Sequence, residues 1–257
     1  MTLSVLFEDT RIAKKLSCLK GIDRVISYET PFLDDEESRK RWIRLLPPVF
    51  RSGDERKIAQ NAACFGTLVR TYDELGYISE TKDHGEIIAD ASLYTFNSYA
   101  IETLKKSGVT RFTYPHELSY REMKERGAAH ESTLIIYSRA PLMVSAQCVN
   151  KNVKDKCFSD GEFHYTTLKD RKGAVLPILF NCRYCVNVIY NSVPTSLHKD
   201  MDKIREIGAE DLRIDITNER EEEAAELIEC YVNLINGRDM GKAPSQFTHG
   251  HFIKSVE

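Results

Sequence analysis

Short apolar stretches alternate with amphipathic stretches along most of the chain, which is the pattern of strands followed by helices. The eight predicted strands cover residues 3–7, 24–28, 45–50, 66–70, 86–91, 109–114, 133–137 and 212–216. Strands that alternate with helices form parallel sheets, and eight such units in about 250 residues have the size of a closed (β/α) barrel. The sequence therefore predicts an α/β fold, a (β/α)8 TIM-like barrel that spans residues 1–257 as one domain. A doubly wound open sheet is the alternative.

Most of the intervening segments have the spacing of amphipathic helices. Two of them, residues 34–42 and 54–64, begin with acidic side chains, which favour the positive end of a helix dipole. The connection over residues 72–84 has no clear pattern, and we predict no helix there.

Residues 141–194 break this rhythm, because they contain no convincing amphipathic helix. A polar turn over residues 169–173 precedes an apolar strand over residues 174–180, which indicates a β-hairpin. Loops that follow barrel strands build the C-terminal face, and long insertions without helices are usually functional. We predict a cysteine-rich β-hairpin insertion after the seventh strand, lying over that face.

Composition narrows the class of protein. The chain is 42% hydrophobic and 29% charged with a net charge of −3, so its average surface does not attract nucleic acid. Its apolar runs are too short for a membrane span, and Glu8 and Asp9 interrupt any signal-peptide pattern. We therefore expect a cytoplasmic protein. Its seven cysteines should then be reduced, which favours metal or redox chemistry over disulfides.

Four cysteines of the insertion, Cys148, Cys157, Cys182 and Cys185, have the spacing C-x8-C-x24-C-x2-C. The closing pair can ligate one metal from a tight turn, and four thiolates suit tetrahedral Zn²⁺ or an iron–sulfur cluster. Soft thiolates argue against Mg²⁺ and Ca²⁺. The alternative is four unrelated buried cysteines. We predict one metal-binding site formed by all four, and the spacing does not distinguish zinc from iron–sulfur.

Several motifs resemble the peptidase U32 family of collagenase-like proteins. They are PLMVSAQC at residues 141–148, LKDRKG at 168–173, NCRYC at 181–185 and IYNS at 189–192, joined by segments at 88–97, 114–119 and 247–252. The resemblance extends from about residue 65 to the end of the chain. It implies the C-terminal barrel of a longer two-barrel member, whose N-terminal barrel would be a partner.

The resemblance also implies a chemistry. Several relatives look like oxygen-independent hydroxylation proteins that act on RNA bases or ubiquinone precursors, with a cluster held by four cysteines. By analogy, Cys148, Cys157, Cys182 and Cys185 would hold a 4Fe-4S cluster, with zinc as the alternative.

Polar side chains at the carboxyl ends of the predicted strands are the candidate substrate site, because a barrel builds its pocket there. This polar set is Arg70, Asp90, Asn97, Glu117, Arg139 and Arg213. We take Arg70, Asp90, Glu117 and Arg139 as the candidate catalytic residues that share one cavity. The guanidinium groups of Arg70, Arg139 and Arg213 would bind an anionic substrate such as a carboxylate or phosphate. The alternative is a set of salt bridges at the barrel mouth, such as Arg70 with Asp90.

Three functions remain open at this point. The first is a metal-dependent modifying enzyme acting on RNA or a small aromatic substrate, and the second is a collagenase-like peptidase acting on peptides. The third is a noncatalytic, zinc-stapled recognition domain. The chain has no HExxH, Gly-rich phosphate loop or G-x-S-x-G motif, and His116 with Glu117 forms only a His-Glu dipeptide.

Overall fold

The computed structural model describes residues 1–29, 35–58, 64–81 and 84–254. Within these residues eight parallel strands close into a barrel, numbered here in chain order among all strands. They are β1 (Thr2–Phe7), β2 (Arg24–Ser27), β3 (Trp42–Leu45), β4 (Gly66–Val69), β5 (Glu86–Ala89), β6 (Val109–Thr113), β7 (Ser132–Ser138) and β13 (Asp211–Ile216). β13 pairs with both β7 and β1, and β6 pairs with β7, so the sheet has no open edge. The predicted eight-stranded barrel is confirmed, and the open-sheet alternative is wrong.

The barrel strands are buried on both faces. In β1, Leu3, Val5 and Phe7 pack outward in the core formed with the helices, whereas Leu6 points into the barrel interior. Because successive side chains of a strand point to opposite faces, an apolar run of this kind serves both cores.

Eight helices lie in the described part of the chain. They are α1 (Thr10–Leu16), α2 (Glu36–Lys40), α3 (Tyr72–Ser79), α4 (Ser98–Lys106), α5 (Tyr120–Arg126), α6 (Val149–Lys154), α7 (Met201–Ile207) and α8 (Glu221–Ile235). Short 3₁₀ turns cover Asp54–Lys57, Ala91–Leu93 and Ala129–Glu131. The side chain of Asn97 caps α4 by accepting from the Ala100 backbone N–H at 3.0 Å. None of the helices described is long and apolar enough to span a bilayer.

Two of the predicted elements need correction. The third strand is Trp42–Leu45 rather than residues 45–50, because the two prolines that follow cannot donate ladder hydrogen bonds. The connection over residues 72–84 contains α3, which begins with a capping box between Thr71 and Glu74.

The two helices predicted over residues 34–42 and 54–64 are shorter than expected. The first runs over Glu36–Lys40 and is capped by Asp35, and residue 34 lies outside the described residues. The second begins as the 3₁₀ turn Asp54–Lys57, and residues 59–63 lie outside the described residues.

The insertion after β7 is a four-stranded antiparallel sheet, called here the insertion sheet. Its strands are β8 (Pro141–Ser145), β9 (Phe163–Lys169), β10 (Val175–Asn181) and β11 (Val186–Tyr190), in the order β8-β11-β10-β9. The predicted hairpin across residues 169–173 is the β9–β10 pair, in which Val175 lies opposite Lys169. A two-residue strand, β12 (Thr195–Ser196), then pairs antiparallel with β7. The insertion therefore contains the predicted hairpin within a larger sheet.

The insertion sheet covers one end of the barrel. Its inner face shares a single buried core with the barrel interior. The sheet side chains in this core are Phe163, Leu179, Tyr184, Val186, Val188 and Tyr190, and the barrel side chains are Leu6, Ile26, Tyr28, Ile43, Leu45, Leu68 and Ile88. The outer face holds a separate small cluster around Ile178, Phe180 and Ile189. Period-two alternation along β10 therefore divides the insertion sheet into a barrel face and an outer face.

We expect Leu179→Ala to destabilise the chain by about 2–5 kcal/mol, because Leu179 is 1% exposed in the core that joins the two layers. Leu168→Ala is the matched control, since Leu168 lies on the same sheet and is 44% exposed. It should change stability by no more than about 0.5 kcal/mol. Urea unfolding followed by circular dichroism measures both, and equal effects would contradict the packing of this sheet on the barrel.

Candidate functional site

A cavity of about 250 Å³ lies between the barrel end and the inner face of the insertion sheet. Charged and imidazole groups line it. Glu8, Arg70, Asp90, His116, Glu117 and Arg139 follow barrel strands, and Arg213 and Asp215 lie within β13. Pro141 and Val144 of β8 and Val188 and Tyr190 of β11 line it from the insertion sheet. The structure thus brings the four candidate catalytic residues together around one cavity, while their catalytic role stays a prediction.

Buried ion pairs connect most of these charges. Arg70 donates to Glu8 at 2.6 Å, and its Nε lies 3.4 Å from an Asp90 oxygen. Arg213 donates to Asp90 at 2.9 Å and to both oxygens of Asp215, at 2.7 and 3.1 Å. Burial by itself would raise the pKa of Asp90, but Arg213 and Arg70 lower it. The salt bridges considered as the alternative at the barrel mouth, including Arg70 with Asp90, are therefore present.

The charges around the cavity nearly balance. Among the described lining residues, the carboxylates are Glu8, Asp90, Glu117 and Asp215, and the guanidinium groups are Arg70, Arg139 and Arg213. Four acidic groups thus face three basic groups. The lining has no surplus of positive charge that would attract an anion.

Arg139 is held by the end of the insertion rather than by the central ion pairs. Its Nη1 donates to the backbone oxygen of Ser192 at 2.6 Å, and its Nε lies 3.5 Å from Glu219. Glu219 also accepts from the Tyr137 hydroxyl at 2.9 Å. Arg139 therefore links the carboxyl end of β7 to Ser192 at the end of the insertion, and its side chain also lines the cavity.

Sequence reasoning missed His116, which follows β6 and lines the cavity beside Glu117. Among the described residues its imidazole has no hydrogen-bond partner, and burial lowers its pKa from the usual 6.5. The imidazole is therefore neutral at pH 7 and able to accept a proton. Its position just beyond a strand end was the signal that could have identified it, as it was for Glu8.

An aromatic pair lies at the rim of the cavity. Tyr94 lines the cavity and stacks on Phe96, with ring centroids 5.8 Å apart and planes 4° apart. The rings remain 56% and 40% exposed. The φ angle of Tyr94 is +52°, a left-handed conformation that is costly for a large side chain and is typical of functional sites. Asn97, from the original polar set, caps α4 instead of lining the cavity.

Two of the four predicted metal-binding cysteines lie on the outer face of the insertion sheet. Cys148 and Cys182 pack against the outer cluster around Phe180, while Cys157 and Cys185 are exposed. Burial and the negative charges of Asp160 and the other three thiols raise the pKa of Cys182 to about 11. The three thiols are therefore close enough to influence Cys182 electrostatically, and this soft donor set suits zinc or iron–sulfur.

A tighter donor group also includes Cys182. Among the described residues, one ligand atom each from Asp160, His164 and Cys182 lies within 4.8 Å of the other two. Sequence reasoning missed Asp160 and His164, because no short motif joins them to Cys182. Both donor sets need Cys182, so one chain cannot use both at the same time.

The family comparison supports the resemblance. The profile of peptidase family U32 matches residues 68–254. No functionally curated protein matches the chain significantly. Among solved structures, the chain is similar to the U32 peptidase Mk0906, with 10% identity, a TM-score of 0.38 and coverage of 55% of this chain and 70% of that one.

A second similar structure is the chitinase ChiW from Paenibacillus sp. str. FPU-7. Its identity is also 10% and its TM-score 0.39, over 94% of this chain and 43% of that one. At such TM-scores, neither likeness informs the activity of this chain. The profile match covers well over half of the sequence, and on that ground the chain belongs to peptidase family U32.

Proposed function

We propose that this chain is a modifying enzyme of the oxygen-independent hydroxylation type, acting on a planar ring in the barrel cavity. The ring would be an RNA base or a small aromatic molecule. The observation that carries the proposal is the cavity itself, which combines balanced hydrogen-bonding charges, a neutral imidazole and an exposed aromatic pair at its rim.

The lining favours a neutral ring over an anion. Its acidic and basic groups nearly balance, so it offers hydrogen-bond donors and acceptors to ring substituents without a strong net attraction. Tyr94 and Phe96 offer a flat surface on which a ring can stack before or during entry. Val188 and Tyr190 cover the cavity from the insertion sheet and limit access of water.

His116 is the residue that we propose as the proton acceptor. Its neutral imidazole lines the cavity and lacks a protein partner among the described residues, so a substrate N–H or C–H can take that place. Glu117 lies beside His116 in the cavity lining, and its carboxylate can orient the substrate ring. Arg70 and Asp90 are held by their ion pairs, which preorganise their hydrogen-bonding atoms.

The four cysteines would hold the iron–sulfur cluster that this reaction type uses, with zinc as the alternative metal. Hydroxylation removes two electrons from the ring and, without O2, takes its oxygen atom from water or from an oxygen-donor co-substrate. When bound, the cluster would accept these electrons one at a time and pass them to an external electron acceptor. Because Cys148 and Cys182 pack on the outer face of the insertion sheet, substrate binding and proton transfer fall to the cavity residues on the inner face.

The structure offers little support for a peptidase. Among the described lining residues, the Ser92 hydroxyl donates to the Arg70 backbone oxygen at 2.8 Å, and no cysteine lines the cavity. A thiol whose pKa is about 11, as in Cys182, is protonated at pH 7 and a poor nucleophile. The described lining of the cavity therefore holds no activated nucleophile of the kind that peptide cleavage needs.

An exposed apolar edge of the insertion sheet lies beside the cavity. Strand β8 is an edge of the insertion sheet, and its Leu142, Met143 and Val144 are exposed. Exposed apolar edges of this kind are normally covered. The N-terminal barrel that the family resemblance implies is the partner that we propose for this edge.

Loss of the chain should leave one ring compound in the cell lighter by one oxygen atom. Mass spectrometry of digested RNA and of extracted small aromatic compounds, with and without the gene, measures this. Reintroducing the natural chain should restore the hydroxylated compound, whereas His116→Gln should not. Unchanged RNA and aromatic pools, together with gelatin cleavage by the purified chain, would contradict the proposal and favour the peptidase.

We expect His116→Gln to lower kcat/KM by about 10²–10⁴-fold, the usual contribution of a general base. In the natural chain, activity should fall only on the acidic side, with an apparent pKa below 6.5, because burial lowers the pKa of His116 and only its neutral form accepts a proton. The pH–rate profile of each protein measures this. His130→Ala, which changes an exposed histidine, is the control, and an acidic limb that survives in His116→Gln would contradict the assignment.

Cys182→Ser should abolish iron binding. Anaerobic purification followed by iron analysis and an absorption spectrum should show about four irons per natural chain and none in the variant. Cys18→Ser is the matched control, because Cys18 is exposed and lies outside the insertion. Full iron content in Cys182→Ser would contradict the four-cysteine site.

A further inference from the structure

Asp160, His164 and Cys182 form a compact group on the outer face of the insertion sheet. One ligand atom from each lies within 4.8 Å of the other two. His164 Nε2 and Asp160 Oδ2 are 2.8 Å apart, so these two groups share a proton. A carboxylate, an imidazole and a thiol at this separation are the donors that zinc accepts together.

Strand pairing brings the three residues together from distant positions in the sequence. His164 lies opposite Phe180 in the β9–β10 ladder, and the Cys182 backbone N–H donates to the Glu162 oxygen at 3.1 Å just beyond that pair. Asp160 is fixed by its other oxygen, which accepts from the Glu162 backbone N–H at 2.9 Å. The β9–β10 pairing therefore positions His164 and Cys182, and the hydrogen bond to the Glu162 backbone positions Asp160 beside them.

Aromatic packing also fixes the His164 ring. Phe158 stacks on the imidazole with centroids 3.7 Å apart and planes 8° apart. The same phenyl ring meets Phe180 edge-on at 5.6 Å. A ligand whose rotamer is locked by packing loses little freedom when it binds a metal, which preorganises the group.

We propose that this group binds a single Zn²⁺ through Asp160, His164 and Cys182, in a form of the protein that excludes the iron–sulfur cluster. Zinc would replace the proton shared by His164 and Asp160, and their N···O separation would open from 2.8 Å to about 3.3 Å at ordinary bond lengths. Cys148 packs against the same apolar cluster as Cys182 and is available for the fourth position. The two metals compete because both need Cys182.

The zinc form has a different capability from the cluster form. Zinc has no redox chemistry, so the zinc-bound chain would have β9 and β10 of its insertion sheet cross-linked by the metal but could not transfer electrons. This inference does not depend on the activity proposed for the cavity, because the cavity lies on the opposite face of the sheet.

The test uses the purified full chain, stripped of metal by a chelator and titrated with Zn²⁺ against a competing chelator. Asp160→Asn and His164→Ala should each weaken Zn²⁺ binding by at least about tenfold. The matched controls Asp155→Asn and His130→Ala should bind Zn²⁺ as the natural chain does. Zinc X-ray absorption should show nitrogen or oxygen at about 2.0–2.1 Å together with sulfur at about 2.3 Å.

A four-sulfur shell, or Zn²⁺ binding that is lost in Cys185→Ser and kept in His164→Ala, would overturn the proposal. Asp160 is exposed, so Asp160→Asn should fold even if His164→Ala does not, and unchanged Zn²⁺ affinity in Asp160→Asn would also overturn it. The cluster proposal is judged separately by iron content: a chain that binds Zn²⁺ as described but never incorporates iron would refute the cluster and leave the zinc site standing.

Discussion

The packing of the insertion sheet on the open end of the barrel is the contact on which the functional features depend. Phe163, Leu179 and Val188 enter the same core as Leu6 and Leu68 of the barrel strands. Without this contact, the space above the strand ends would be open to solvent and the cavity would have no upper wall. The burial that joins the two layers therefore also creates the site.

Alternation along the strands of the insertion sheet separates two kinds of chemistry. Leu179 points to the barrel, whereas Ile178 and Phe180 on either side of it support the outer cluster that holds Cys148 and Cys182. A sheet one strand layer thick thus carries the cavity that we propose for proton transfer on one face and the donors that we propose for metal binding on the other. The separation follows from the period of two in a β-strand and needs no additional element.

Ion pairs hold the cavity in shape. Arg213 bridges Asp90 and Asp215, and Arg70 bridges Asp90 and Glu8. Buried pairs of this kind add little net stability, because desolvation offsets most of their attraction. Their clustering at the strand ends of a barrel is instead typical of a site where fixed charges position a substrate.

The barrel could be predicted because its strands are buried on both faces and therefore appear as apolar runs. The four lining residues that we selected at strand ends, such as Arg70 and Glu117, share one cavity because the carboxyl ends of parallel barrel strands meet at the same end of the barrel. His116 escaped prediction because the His-Glu dipeptide was weighed only as part of a zinc-protease motif, and its place just beyond β6 was not used. Asp160 and His164 escaped because only the β9–β10 pairing brings them to Cys182, and that pairing is not visible as a sequence motif.

We propose that metal and substrate bind on opposite faces of the insertion sheet. Anomalous diffraction from crystals of the metal-loaded chain, recorded at the iron and zinc absorption edges, would locate the metal. We expect an anomalous peak on the outer face beside Cys182 and Phe180, with Val188 and Tyr190 between it and the cavity. A peak inside the cavity, next to Glu117 or Asp215, would show that the two sites are not separated by the sheet.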